Sequence, residues 1–309
     1  MVTALVGYTG FVGSNIYAAG KESIRAVYNS HNIENAYGTN PDLLIYSGMR
    51  AEKYLANANS EADMELVEQA QQNIERIAPK KLVLISTIDV LKEPNGKNEE
   101  AEIDTHGLQA YGLNRYRLEQ WVRAHYPDAL IIRLPGLYGL NIKKNFIYDY
   151  MNVIPFMLKQ EKLEELSARE PLLKEVYELQ SNGFYKCRAL SKEEKDRLKT
   201  AFRALGFTAL NFTDSRNVYQ FYPLSRLWND VQIALKEGLT LWHPATAPVS
   251  AAEVYEFLTG EPFENMVQPN PVFYDYRTKY ADLFGGTGEY LMSREQVLED
   301  IRRFVKEAE

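Results

Sequence analysis

Three side chains in the first half of the chain combine a hydroxyl, a phenol and a cation in a way that suits acid/base chemistry. Thr87 ends the apolar run 82–85 with Ser86, and Tyr111 and Arg115 stand four residues apart, so they share one face of a predicted helix. A phenol can pass a proton to or from a carbonyl or alcohol oxygen, and a neighbouring hydroxyl can orient that oxygen. Because a free tyrosine titrates at about pH 10, a cation such as Arg115 is needed to bring the phenol toward neutrality. The set predicts carbonyl reduction or alcohol oxidation coupled to a hydride carrier.

A glycine-rich turn near the start of the chain offers a place for that carrier. The segment Gly7-Tyr8-Thr9-Gly10-Phe11-Val12-Gly13 follows a short apolar run and opens a predicted helix. Glycines let the chain turn sharply, bring its backbone against a pyrophosphate, and pack helix on strand with no side chain between them. The phosphates are then held by unpaired N–H groups and the helix dipole. We therefore expect cofactor contacts at Gly7, Thr9, Gly10, Phe11, Val12 and Gly13. A glycine-rich turn without a ligand is the alternative.

The residues that end the second predicted strand leave the choice between NAD and NADP open. The run Tyr28-Asn29-Ser30-His31 holds no Asp or Glu to bind a ribose 2′-hydroxyl and no Arg to receive a 2′-phosphate. Asn29 and Ser30 can hydrogen-bond either group. Ser47 and Arg115 complete the expected cofactor contacts.

The elements that must position these residues alternate between β-rich runs and amphipathic stretches, which is typical of a parallel sheet covered by helices. We predict strands at 3–6, 24–28, 42–46, 82–85 and 129–133, and helices at about 62–77 and 110–124. Ligands of such sheets bind beyond the carboxyl ends of the strands, where Thr87 is expected. The segment between 28 and 42 is barely the dozen or so residues that one parallel crossover needs. The sheet is therefore predicted to lack the usual third strand at that edge.

The fold class indicated is α/β, a Rossmann-type doubly wound parallel sheet with a smaller C-terminal α/β lobe. We assign residues 1–144 to an NAD(P)-binding domain and 145–309 to a substrate lobe, which includes a charged, helix-forming insertion at about 155–207. Further strands are predicted at 209–213, 239–242 and 272–276. Capping boxes that begin at Ser250 and Ser293 predict two late helices.

Composition excludes several classes of function. The net charge of −7 leaves no basic excess for nucleic acid. Cys187 is the only cysteine, so no intrachain disulfide can form, and the four histidines show no spacing typical of a metal site. No apolar run approaches the roughly 20 residues that span a bilayer, and no signal-peptide pattern opens the chain. A cytoplasmic protein that contacts no membrane is expected.

Four motifs occur together in a recognisable order and spacing: the glycine loop, Ser86-Thr87, Tyr111-x-x-x-Arg115, and the segment 133–139 (Arg-Leu-Pro-Gly-Leu-Tyr-Gly). In these the sequence resembles extended short-chain dehydrogenases/reductases of the NAD-dependent epimerase/dehydratase superfamily. Within them it is most similar to dTDP-4-dehydrorhamnose reductases and related sugar-nucleotide-binding proteins, over roughly residues 3 to 140. The resemblance implies NAD(P) binding, a Thr/Tyr/basic catalytic set, a nucleotide-sugar substrate held by the C-terminal lobe, and a homodimer.

One departure from that family keeps alternatives open. Arg115 stands where the family has a lysine that contacts the nicotinamide ribose and lowers the tyrosine pKa, and a planar guanidinium is wider than an ammonium. The leading hypothesis is an NAD(P)-dependent oxidoreductase acting on a keto or hydroxy group of a nucleotide-linked sugar, with Tyr111 as general acid/base. An epimerase or dehydratase is the nearest alternative, although a dehydratase would want an acidic residue beside the tyrosine, and Gly112 and Leu113 offer none. Arg115 also motivates a third hypothesis, a non-catalytic NAD(P)-binding protein.

Overall fold

The chain folds into two compact units. The structure, a computed structural model, describes residues 2–180 and 183–308. Unit 1 comprises Met1–Ile142, Val218–Val249 and Phe273–Phe304, and unit 2 comprises Lys143–Asn217, Ser250–Val272 and Val305–Glu309. The first boundary lies close to residue 144, and within 145–309 the chain returns twice to unit 1. The assignment of 145–309 to a substrate lobe stays a prediction. The first return has a structural reason, because residues 241–242 add a strand to the sheet of unit 1.

Short strands occur throughout the chain. They are β1 (Thr3–Val6), β2 (Ile24–Tyr28), β3 (Leu43–Tyr46), β4 (Leu82–Thr87), β5 (Leu130–Leu134), β6 (Gly136–Tyr138), β7 (Met157–Leu158), β8 (Tyr177–Leu179), β9 (Tyr185–Cys187), β10 (Val218–Tyr219), β11 (Phe221–Pro223), β12 (Leu241–Trp242) and β13 (Val249–Ser250).

The α-helices vary from one turn to five. They are α1 (Phe11–Gly20), α2 (Lys53–Ala58), α3 (Ser60–Ile77), α4 (Ala110–His125), α5 (Phe146–Asn152), α6 (Gln160–Ser167), α7 (Leu173–Val176), α8 (Lys192–Leu205), α9 (Leu224–Lys236), α10 (Ala251–Thr259) and α11 (Arg294–Ala308). Among the helices of the described residues, none combines the length and apolar character needed to cross a bilayer.

A six-stranded parallel sheet organises unit 1. Its strand order is β12-β5-β4-β3-β1-β2, so β1 lies between β2 and β3, and β4 follows on the far side of β3. In the described residues β2 is the edge strand, and the segment after it holds only a 3₁₀ turn at Ile33–Ala36. The prediction of a missing third strand is therefore confirmed, and the Rossmann-type fold class with it.

Hydrophobic periodicity explains how the helices cover this sheet. On α3 the residues Val67, Ala70, Ile74 and Ile77 recur at helical spacing and are buried against the sheet, together with residues of α4. The helix ends where predicted, because Ala78 adopts a left-handed conformation (φ 52°) directly before Pro79. Each fully buried aliphatic side chain of this kind contributes about 1.5–3 kcal/mol to stability.

Two predicted strands are wrong. Residues 209–213 begin instead with the 3₁₀ turn Ala209–Phe212, which Thr208 and Asn211 stabilise with a reciprocal capping box. Residues 272–276 make only an isolated bridge at Phe273. The Tyr274 N–H bonds to the Val218 carbonyl, but those of Val272, Asp275 and Tyr276 bond to side-chain amides, as Tyr276 does with Gln220 Oε1 at 2.8 Å.

The predicted helical insertion is helical only in part. The helices α6, α7 and α8 lie in residues 155–207, but so does a three-stranded antiparallel sheet of order β7-β9-β8. Strands of two or three residues are too short to show an alternating pattern, so the sequence could not reveal them. Leu163, Leu173, Leu198 and Phe202 bury the helices against one another in a core of their own. Both predicted late capping boxes form, at Ser250 and at Ser293.

Candidate active site

The glycine loop is built as its motif requires. Gly7 has φ +90°, and a Cβ there would lie 2.5 Å from the Ser47 carbonyl oxygen. A Cβ on Gly13 would lie 2.1 Å from the Gly7 carbonyl oxygen, so this position lets α1 pack directly on the end of β1. Gly10 is the N-cap residue of α1 and is exposed with Thr9, while Phe11 and Val12 begin the helix. The N–H groups of this first turn have no carbonyl within the helix to pair with, which suits an anion.

The other predicted cofactor contacts are placed around this loop. Asn29 follows β2, and its Oδ1 accepts the His31 backbone N–H at 2.9 Å, while Ser30 is exposed. Asn32, which the sequence analysis missed, accepts the Asn29 N–H at 2.7 Å and shapes the same turn. Ser47 lies against the glycine loop, but its hydroxyl donates to the Val6 carbonyl at 2.9 Å. Ser47 thus ties β3 to β1 beside the loop.

Thr87 and Tyr111 meet at the carboxyl end of β4. Thr87 is the last residue of that strand, and Tyr111 stands in the first turn of α4, almost fully buried. The phenol lies near enough to Thr87 for that residue to lower its pKa. The helix can approach this closely because position 112 is glycine, where a Cβ would lie 2.1 Å from the Asp89 carbonyl oxygen. The spacing of Ser-Thr and Tyr-Gly in sequence therefore does bring the two hydroxyls together.

Arg115 is buried beneath Tyr111 and fully engaged. Its guanidinium carbon lies 4.5 Å from the centre of the Tyr111 ring, which is cation–π distance. Its Nη1 is 2.5 Å from Asp63 Oδ2, and its Nη2 donates to the Arg50 carbonyl at 2.6 Å. Asn114 also donates to Asp63, at 3.0 Å. The positive charge of Arg115 is thus compensated by a carboxylate on α3, and the guanidinium contacts the face of the ring.

Two further charged residues complete the site, and the sequence analysis missed both. Asp89 lies two residues beyond Thr87, and the Thr87 hydroxyl donates to its Oδ2 at 3.3 Å and accepts its N–H at 3.2 Å. Lys53, the first residue of α2, places its Nζ 2.7 Å from Asp89 Oδ1. Both residues follow carboxyl ends of neighbouring strands, β3 and β4, which is the signal that could have found them.

These surroundings set the acidity of the site. Burial raises the pKa of Tyr111, and Asp89 adds to that rise, while the charge of Arg115, the nearby Thr87 hydroxyl and the charge of Lys53 oppose it. For Lys53, burial acts to lower the pKa, but the charge and hydrogen bond of Asp89 outweigh it and raise the pKa. At neutral pH the phenol is therefore protonated and the lysine charged.

A buried ionic network supports the end of β4 from behind. The Ser86 hydroxyl donates to Glu119 Oε1 at 2.6 Å, and Arg133 holds Glu119 through Nε and Nη2, the latter at 2.7 Å. His243 lies 3.4 Å from Arg133, and burial, followed by the charge of Arg133, lowers its pKa to about 3. Removing one partner of such a buried pair costs about 3–5 kcal/mol. The network fixes Ser86 and hence the direction of Thr87.

Unit 2 carries a cavity of about 560 Å³ with one acid of altered pKa. The cavity is lined in part by Asp149, Tyr150, Asp196, Lys199 and Tyr255. Burial of its carboxyl raises the pKa of Asp149 to about 7. The cavity therefore holds a carboxyl group that changes charge near neutral pH.

We expect the stability of the protein to fall between about pH 4 and pH 7 because of Asp149. The folded state keeps a proton on this carboxyl that the unfolded chain, with a pKa of 3.8, has already lost, so stability decreases as pH rises through that window. Asp149→Asn removes the titration and should gain about 2–4 kcal/mol relative to wild type between pH 5 and pH 8. Urea unfolding at the two pH values measures this, with the exposed Asp196→Asn as the matched control. Equal pH dependence in wild type and Asp149→Asn would contradict the assignment.

Comparison with known proteins finds solved structures with a similar fold. No family model matches the sequence, and no curated protein matches it. The dTDP-4-dehydrorhamnose reductase of Bacillus anthracis, solved with NADP, superposes with a TM-score of 0.62 at 14% identity, over 99% of both chains. UDP-N-acetylglucosamine 4-epimerase of Bacillus cereus gives 0.59 at 13% identity, again over 99% of both. The Bordetella bronchiseptica enzyme WbmG, solved with NAD and UDP, gives 0.63 at 12% identity, over 99% of this chain and 94% of that one.

The chain has the fold of these reductases and epimerases. The likeness extends over nearly the whole chain, including the second half, where the sequence resemblance is loose. At 12 to 14% identity it establishes the fold alone. The functional assignment therefore depends on the side chains at the carboxyl edge of the sheet.

Proposed function

We propose that the protein is an NAD(P)-dependent oxidoreductase that acts on a keto or hydroxy group of a nucleotide-linked sugar. The observation that carries the proposal is that the side chains of Thr87 and Tyr111 lie side by side at the carboxyl end of β4, in the same sheet whose first strand leads into the glycine loop. The B. anthracis reductase holds NADP and the Bordetella enzyme holds NAD and UDP, which supports both the cofactor and the nucleotide part of the substrate.

The glycine loop fits the pyrophosphate of such a cofactor. A Cβ at Gly7 or Gly13 would strike backbone at 2.5 Å or less, so both positions exclude side chains and keep the loop close to β1. The first-turn N–H groups of Phe11 and Val12, beside the exposed Gly10, would hold the phosphates. Asn29 and Ser30 stand where the adenosine ribose would lie and favour neither NAD nor NADP.

The site residues divide the acid/base work among them. The bound nicotinamide supplies the hydride. Tyr111 passes its phenolic proton to the substrate oxygen, and Thr87 orients that oxygen by a hydrogen bond. Because burial raises the pKa of Tyr111, the phenol is protonated at neutral pH and suits the reductive direction, in which it acts as the acid. The Arg115 guanidinium packs against the face of the Tyr111 ring, and its charge limits the rise in the pKa of Tyr111.

The proposal is tested by supplying NADH or NADPH together with nucleotide-linked keto sugars that carry dTDP, UDP or GDP. We expect loss of reduced-nicotinamide absorbance that depends on the sugar, and saturable binding of one dinucleotide in calorimetry, which also decides between NAD and NADP. A protein that binds a dinucleotide tightly but never turns over any of these sugars would favour the non-catalytic alternative. Failure to bind either dinucleotide would refute the proposal.

The Asp89 carboxylate favours a second candidate, an epimerase or dehydratase. Gly112 and Leu113 supply no acid next to Tyr111 on its own helix, but Asp89 lies at the strand end, in contact with the Thr87 hydroxyl. A carboxylate there can take a carbon-bound proton from a sugar during elimination or inversion. That reaction regenerates its cofactor, so it would convert the sugar without net consumption of NAD(P)H and exchange carbon-bound hydrogen with solvent deuterium. Stoichiometric cofactor consumption without exchange would favour the reductase.

A further inference from the structure

The family that the sequence resembles has a lysine four residues after the tyrosine. In this chain, that position on α4 holds no cation with an uncompensated charge. Arg115 occupies that position, but its charge is matched by Asp63 at 2.5 Å, and both side chains are about 95% buried. A second donor hydrogen of Arg115 goes to the Arg50 carbonyl. The guanidinium is therefore fixed against the ring face of Tyr111 and has no freedom to follow a charge change at the phenolic oxygen.

A different lysine reaches the site from α2. Lys53 and Asn57 stand four residues apart and so share one face of that helix. The Asn57 side chain docks this face onto α4, because its Oδ1 accepts the Tyr111 backbone N–H at 2.9 Å and its Nδ2 donates to Gln109 at 2.8 Å. Lys53, one turn earlier, is thereby directed at Asp89, where its Nζ lies 2.7 Å from Oδ1.

The contacts form a chain that ends at the phenol. Lys53 binds one oxygen of Asp89, the other oxygen accepts the Thr87 hydroxyl hydrogen, and Thr87 lies beside the phenol of Tyr111. This series of contacts also reaches solvent, since the Lys53 side chain is 45% exposed and the Asp89 side chain is 24% exposed. Removing Lys53 would leave the Asp89 carboxylate uncompensated beside the two hydroxyls that the proposed reaction uses.

We infer that Lys53 is a positioning residue for this proton transfer: its ammonium holds Asp89, and through it Thr87, and cancels a negative charge that would otherwise oppose ionisation of Tyr111. The inference rests on the proposed function. The charged groups that face Tyr111 are Arg115 from its own helix, Asp89 from the strand end and Lys53 from α2, and Tyr274 faces the last two from the third segment of unit 1. Among these charged groups, only Asp89 disfavours the ionised form of Tyr111. Only Lys53 among them forms a side-chain ion pair with Asp89.

The test measures the ionisation of Tyr111 directly and needs no turnover. Difluorotyrosine in place of Tyr111 gives one fluorine resonance, and its fluorines make the phenol acidic enough to titrate while the protein stays folded. In Lys53→Met, we expect the midpoint of this titration to rise by about 1 pH unit, because an uncompensated carboxylate now faces the phenol. Lys53→Arg should keep the wild-type midpoint, and Lys53→Met combined with Asp89→Asn should restore it.

The matched control is Lys80→Met. Lys80 makes an ion pair of the same length, 2.7 Å, with Asp42, but these residues precede β4 and β3 and so lie at the other end of the strands. In Lys80→Met, the titration midpoint of the fluorinated residue at position 111 should equal that of wild type. The inference is overturned if Lys53→Met has the same midpoint as Lys80→Met. It is also overturned if adding Asp89→Asn to Lys53→Met does not restore the wild-type midpoint.

Activity provides the second readout and separates this inference from the proposed function. If the protein reduces a nucleotide sugar, kcat of Lys53→Met at pH 7 should fall about tenfold, and its pH profile should move in the alkaline direction while KM for the dinucleotide stays unchanged. A shifted fluorine titration in a protein without any turnover would support the Lys53 inference and refute the proposed function. Turnover with an unshifted titration would do the reverse.

Discussion

Tyr111→Phe is expected to reduce sugar turnover by about 10²–10⁴-fold while leaving dinucleotide affinity unchanged. The substitution removes only the phenolic oxygen, so it deletes the proton donor beside Thr87 but keeps the ring, whose centre lies 4.5 Å from the guanidinium carbon of Arg115. General acid catalysis contributes an effect of this size when the acid is positioned in the transition state. Steady-state kinetics at saturating cofactor, together with calorimetry of cofactor binding, measures both parts.

The same helix offers the control for this substitution. Tyr116 also lies on α4, but its side chain packs against the apolar cluster that contains Ile88, Val90 and Tyr276. Tyr116→Phe should lose less than about threefold in kcat. If the two variants lose equal activity, the loss reflects a disturbed helix. If Tyr111→Phe keeps full activity, Tyr111 is not the acid and the assignment of the site is wrong.

The parts of the site that sequence predicts well are those fixed by local geometry. The glycine loop could be predicted because strand, turn and helix follow one another between Thr3 and Gly20, and the steric reason for Gly13 is local, since its Cβ would lie 2.1 Å from the Gly7 carbonyl oxygen. The contact that excludes a side chain at Gly7 comes instead from Ser47, after β3. Thr87 and Tyr111 could be predicted because the carboxyl end of one strand and the start of the following helix meet at the same edge of the sheet.

The charges around the site could not be predicted from local spacing. Arg115 is paired with Asp63, which is 52 residues away and belongs to α3, and only the packing of α3 on α4 brings them together. The pair of Lys53 and Asp89 depends on β3 and β4 being neighbours, although they are separated along the chain by the two helices α2 and α3. A sequence motif predicts which atom reacts, whereas the groups that set its acidity come from elements that are distant in sequence.

Gly13→Ala is expected to weaken binding of the preferred dinucleotide by about 100-fold or more. The added methyl group would lie 2.1 Å from the Gly7 carbonyl oxygen and 2.8 Å from Ser47 Oγ, so α1 must move away from β1. That displacement carries the first-turn N–H groups of Phe11 and Val12 away from the pyrophosphate. A hydrogen bond to a charged group contributes about 1.5–3 kcal/mol, so the loss of two accounts for a change of this size.

This substitution also strains the fold, and the control must match that strain. A Cβ on Gly286 would lie 2.2 Å from the Tyr290 carbonyl oxygen, a backbone clash of the same severity in unit 1 but away from the glycine loop. Calorimetry is therefore compared between Gly13→Ala and Gly286→Ala at a temperature where circular dichroism finds both variants folded. If Gly286→Ala binds the dinucleotide as wild type does, the loss in Gly13→Ala is specific to the phosphate-binding turn. If both variants lose affinity equally, the loss reflects strain in the fold. If Gly13→Ala binds normally, the turn is not the cofactor site, because no pyrophosphate could be insensitive to a shift of the helix that holds it.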